Sequence, residues 1–153
     1  SDAFKNGIPM ALNAYIASFP DSPFIEEAYY TMAYHYADKE MKEDELKVYT
    51  QMLADLPENT GVLNSYAWRM AELEINLEDA LIKVKRAVEL SADNPNGQAN
   101  IIDTEAEVLW KLKRFDAAID AIEKAIVIDG KNQYFKDQKE KFIQSKKEAS
   151  QPV

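Results

Sequence analysis

The sequence predicts an all-α fold in which antiparallel helix pairs stack in series and a last helix caps the stack. Three observations predict it. Apolar residues recur at helical spacing nearly from end to end. Short stretches rich in Pro, Gly, Asn and Asp interrupt that period, most leaving pieces of about 11–18 residues, the usual length of a globular helix. One pattern of alanines and larger apolar residues occurs twice, in Leu77–Leu90 and again in Phe115–Ile128.

The breaks fall at Pro20-Asp21-Ser22-Pro23, Asp38–Asp44, Leu56-Pro57-Glu58-Asn59, Asn76, Asp93–Gly97 and Gly130-Lys131-Asn132. Pro removes a backbone donor, Gly relaxes the chain, and Asn, Asp and Ser cap the next helix. Helices joined by such short turns pack antiparallel to their neighbours. A leading helix is expected at about 8–19. Phe4, Ile8, Leu12, Tyr15 and Phe19 share one face of it, and Pro9 argues for a start or a kink there, since a proline inside a helix costs about 3 kcal/mol. Three pairs follow, at 26–59, 60–92 and 99–132. A capping helix is expected at about 133–147, with Phe135, Phe142 and Ile143 on one side and Lys139, Lys141, Lys146 and Lys147 on the other. Residues 1–148 read as one domain and 149–153 as a disordered tail.

Within the repeat, Ala80 and Ala87 match Ala118 and Ala125 without a gap. Small residues two turns apart let a neighbouring helix approach closely, while larger side chains fill the grooves beside them. The preceding helices carry Ala33 with Tyr36, Ala67 with Met70 and Ala106 with Leu109, again small then large on one face. In these residues the chain resembles the tetratricopeptide repeat family, whose unit is a helix-turn-helix of about 34 residues. Ala33 and Ala67 keep that period, and Ala106, Phe115, Ala118 and Ala125 stand at matching places. The departures are Glu45 and Met52 where small residues are expected, one extra residue before Ala80, a longer loop at Ala92–Gln98, and Gly130 in place of Pro. The resemblance covers roughly residues 10–130. It implies a right-handed α-solenoid. Ala17–Pro23, followed by Glu27–Tyr30, also looks like repeats in bacterial envelope proteins.

The resemblance further implies that the first helix of each pair lines a concave groove. The lining positions become Tyr30 and Tyr34, Asn64 and Trp68, and Asp103, Glu107, Trp110 and Lys111. Trp and Tyr dominate binding hot spots, Asn64 can bond a ligand backbone, and Asp103 and Glu107 favour cationic groups. Family members that clamp a C-terminal carboxylate use Lys and Asn there, so an acidic tail is not the expected ligand. The alternative is that both tryptophans simply pack against neighbouring helices.

The expected function is therefore a protein-interaction module holding a peptide or protein, not an enzyme. No catalytic, cofactor-binding or metal-binding residue is assigned. His35 is the only histidine and there is no cysteine, which leaves zinc without ligands. The acidic run Asp38–Glu45 lacks the glycine and spacing of a calcium loop. The four glycines are isolated, so no phosphate-cradling loop exists. A net charge of −9 disfavours nucleic acid and anionic lipid as partners, and no apolar run approaches the ~20 residues that span a bilayer. Cytoplasm and periplasm both stay open. Residues 1–60 carry a net −7 and residues 131–153 a net +3, an asymmetry that supports a rival reading as a self-associating assembly element. A second rival is an accessory domain of a larger enzyme, for example a thioredoxin-like one. The absence of an initiator Met fits a cut chain.

Overall fold

A computed structural model describes the backbone of residues 2–152 and the side chains of residues 7–152. Among these there are eight helices and no strand, an all-α architecture consistent with a helical repeat. The helices are α1 (Asp2–Ser18), α2 (Ile25–Asp38), α3 (Lys42–Asp55), α4 (Thr60–Leu73), α5 (Leu77–Leu90), α6 (Pro95–Lys111), α7 (Phe115–Ile128) and α8 (Gln133–Ala149). They form two compact units that divide at Pro57, within the break read at Leu56–Asn59.

In the first unit α2 packs against both α1 and α3. Helix α1 begins well before the expected residue 8 and carries Pro9 inside it. Its buried face also differs from the expected stripe. Pro9 and Ile16 are buried, whereas Ile8 and Phe19 are more than half exposed. Phe4 lies outside the described side chains. Leu12 and Tyr15 are half-buried as expected, but Pro9 and Ile16, each one position or about 100° on from Ile8 and Tyr15, take the most buried places. Burying the Pro9 ring, which has no N–H to satisfy, is consistent with a proline being held inside the helix.

In the second unit α4 packs on α5 and α6, α5 on α6, α6 on α7, and α7 on α8. The small residues sit where these helices approach one another. Ala67, Ala80, Ala87, Ala106, Ala118 and Ala125 are all 0% exposed. Asn59, Asn94 and Asn132 cap α4, α6 and α8, each side chain accepting a backbone N–H of the first turn. Pro95 opens α6, where its missing donor is harmless. The long loop before α6 is closed by Gln98, whose amide donates to the Val88 carbonyl. Ala149 belongs to α8 rather than to a tail, and Val153 lies outside the described residues.

One turn geometry recurs three times. Seven residues after Ala33, Ala67 and Ala106 stand Glu40, Glu74 and Lys113, with φ of 56°, 54° and 61°. Each carries the same pair of closing bonds. Met41 N–H donates to Tyr36 and Glu40 to Ala37; Ile75 donates to Met70 and Glu74 to Ala71; Arg114 donates to Leu109 and Lys113 to Trp110. This is the six-to-one and five-to-two bonding that ends helices through a left-handed residue. The extra residue before Ala80 is absorbed just after this motif, by Asn76 in a second left-handed conformation. No glycine occupies the three positions, and a side chain in the left-handed region costs roughly 1–2 kcal/mol. Glycine loses about 0.5–1 kcal/mol of that advantage through its freer unfolded chain. Lys113→Gly is accordingly expected to stabilise the protein by about 0.5–1 kcal/mol, read as a higher urea midpoint. An unchanged or lower midpoint would refute the strain argument.

Candidate functional site

The sequence-predicted residues fall on three helices and in two environments. On α2, in the first unit, Tyr30 is half-buried and Tyr34 is 70% exposed, with ring centroids 6.4 Å apart. They lie one turn apart, so both rings stand on the same side of the helix.

On α4, Trp68 is half-buried and its indole N–H donates to the Glu72 carboxylate at 3.2 Å. Arg69 holds the other oxygen of Glu72 at 3.1 Å. One turn before Trp68 stands Asn64. Its Oδ1 is sealed from solvent and, among the described residues, has no hydrogen-bond partner. A buried acceptor left without a donor costs about 1–3 kcal/mol, and an atom sealed from solvent is equally out of reach of a docked partner.

On α6 the environment is different. Asp103 and Glu107 are buried at 6% and 8% exposure. Gln138 of α8 divides its amide between them, at 3.2 Å from Asp103 and 3.0 Å from Glu107. Lys141 of α8 completes the cluster with a 2.6 Å bond to Glu107. Trp110 donates its indole N–H to Ser145 Oγ at 2.8 Å, and its ring stands 6.0 Å from that of Phe142. The Lys141 ammonium lies 4.1 Å from the Trp110 ring centre, a cation–π contact. The Lys111 ammonium also lies over the Trp110 ring, 4.8 Å from its centre, and bonds Glu74 at 2.7 Å. Thus α8 occupies the surface that Asp103, Glu107 and Trp110 present. Lys141 belongs to this contact, not to the solvent side assigned to it from the sequence, while Lys146 and Lys139 tie α8 to Asp116 and Glu123 of α7.

Electrostatics follow from that burial. Loss of water pushes the Asp103 carboxyl up to about 6, and the Glu107 charge adds to the rise. The Gln138 bond, the Lys141 charge and the Tyr134 hydroxyl pull it back in part. Tyr134 itself is pushed up to about 12, by its own desolvation first and then by the two carboxylates.

No family model matches the sequence, and no curated protein matches it either. The functional reading therefore rests on the residues themselves. Among those described, no group of three or more His, Cys, Asp or Glu is placed to hold a metal ion, and no helix is long and apolar enough to cross a membrane.

The sequence reading missed Gln138 and Ser145. Their signal was present: Phe135, Gln138, Phe142 and Ser145 follow one helical stripe, so the two polar members share the face of the two phenylalanines, which are 1% and 0% exposed.

Proposed function

We propose that this chain is a tetratricopeptide-type protein-interaction module that holds a polypeptide partner on the inner faces of its first-of-pair helices. The stack is read as a right-handed solenoid, with α8 as its cap and Asp103, Glu107 and Trp110 as the residues that seat the cap. The binding surface is then assigned to Trp68 and Asn64 on α4 and, in the first unit, to Tyr30 and Tyr34 on α2. The observation that carries the reading is on α4: a half-exposed tryptophan whose indole N–H is held in place by Glu72. A partner side chain would cover the indole, which supplies the aromatic anchor of a hot spot.

The test starts from peptides selected on the immobilised protein from a random library. Trp68→Ala and Tyr34→Ala are expected to weaken the selected peptides by about tenfold or more each, as for a hot-spot residue, with the circular dichroism unchanged. Peptides that bind both variants like the wild type would reject the site. Sedimentation across a concentration series addresses the self-association reading, which alone requires an oligomer that grows with concentration.

A further inference from the structure

A hollow lies in the first unit, lined by residues other than those assigned above. It has a volume of about 370 Å³ and is lined by Asn13 and Ile16 of α1, Ile25 of α2, and Gln51, Asp55 and Leu56 at the end of α3. That is the lower part of the range for small-ligand sites. Its walls are mixed, with buried Ile16 and Ile25 below and the exposed polar ends of Asn13, Gln51 and Asp55 above.

Its charge is one-sided. No Lys, Arg or His is among the lining residues. The last turns of α1 and α3 both supply wall residues, and neither last turn contains a basic residue. A helix end of this kind carries roughly half a negative charge, so two ends add to the full charge of Asp55. Asp55 is also oriented. The hydroxyl of Tyr29, a residue with no exposed surface, donates to Asp55 Oδ2. Burial and that bond hold the Tyr29 proton firmly on the phenol. One carboxylate oxygen is thus fixed against the protein.

We propose that this hollow is a binding site for a basic side chain, the arginine of a partner polypeptide. The guanidinium is planar, weakly hydrated and rich in donors, which suits a fixed carboxylate beside two carboxamides. Its aliphatic stem would lie on Ile16 and Ile25. This site does not depend on the reading given to the α4 surface.

The test is a titration of the ¹⁵N-labelled chain followed by amide shifts, with N-acetyl-arginine amide as the probe. Its uncharged isostere, N-acetyl-citrulline amide, and the free polyamine spermidine are run alongside. Saturable shifts at Asn13, Gln51 and Leu56 are expected with the arginine probe, with affinity weaker by up to about fivefold for citrulline and in Asp55→Asn, the upper effect of one exposed ion pair. Asn13→Leu, which fills the mouth without touching Tyr29, should abolish them, and it decides the matter if Asp55→Asn does not fold. The proposal is overturned by any of three results: no saturable shift up to tens of millimolar probe, equal shifts with citrulline, or shifts with spermidine alone. A response that survives Asn13→Leu also overturns it.

Discussion

Phe142→Ala is expected to destabilise the protein by about 3–5 kcal/mol, the cost of removing a fully buried phenylalanine. The ring is 0% exposed, faces Trp110 and lies 5.1 Å below the Lys141 ammonium. Its removal takes away apolar burial and opens a void. It also loosens the bonds that α8 makes to α6, because Lys141 and Ser145 flank it on the same helix. Even the lower bound, about 3 kcal/mol, is a large share of a typical domain stability of about 5–15 kcal/mol. Two readouts belong together: a lower urea midpoint, and red-shifted Trp110 emission as the indole becomes wet. Lys147→Ala, on the exposed side of α8, should change neither. A loss below about 1 kcal/mol for Phe142→Ala would mean that α8 is not seated as described.

Asp103→Asn is expected to stabilise the protein at neutral pH and not in acid. The folded pKa of Asp103 is raised to about 6, against about 3.9 in the unfolded chain. Between these values the folded state binds more protons than the unfolded one, so stability falls as pH rises from about 4 to about 6, and the loss is complete above that window. A difference of that size corresponds to about 3 kcal/mol as an upper bound. The asparagine keeps the size of the side chain and its acceptor for Gln138 while removing a charge that burial and Glu107 both oppose. The expected gain is about 1–3 kcal/mol at pH 7, fading towards zero near pH 4. Denaturant unfolding of both proteins across this range checks the sign. A variant that is less stable at pH 7 would show that the Lys141 charge, more than the desolvation, governs the cluster.

These two residues also mark where the sequence was and was not legible. Helices with Asn, Pro or Gly at their ends could be read, because capping and helix breaking are local. Asn59, Asn94 and Asn132 act as caps within three residues of themselves. The turn at Leu112–Arg114 carried no such mark. Lys113 holds a left-handed conformation with no help from glycine, and only its equivalence to Glu40 and Glu74 reveals it. The α1 stripe was placed only in part: Leu12 and Tyr15 are half-buried as read, but Pro9 was treated as a break when its ring is part of the buried face. The fate of Asp103 and Glu107 was hidden for a different reason. Their partners Gln138 and Lys141 lie more than thirty residues away, and helical periodicity says which face a residue occupies but not what covers it. Positions that read as a ligand wall on α6 are engaged from within the chain, whereas those on α4 and α2 keep exposed aromatic surface.

The central claim is that a partner lies against α4 while α8 keeps the indole of α6. Single-tryptophan proteins test it directly, Trp110→Phe leaving Trp68 and Trp68→Phe leaving Trp110. With a library-selected peptide at saturation, acrylamide quenching of Trp68 should drop while that of Trp110 stays as it was. Shielding of Trp110 with Trp68 unaffected, or of neither indole, would contradict the account.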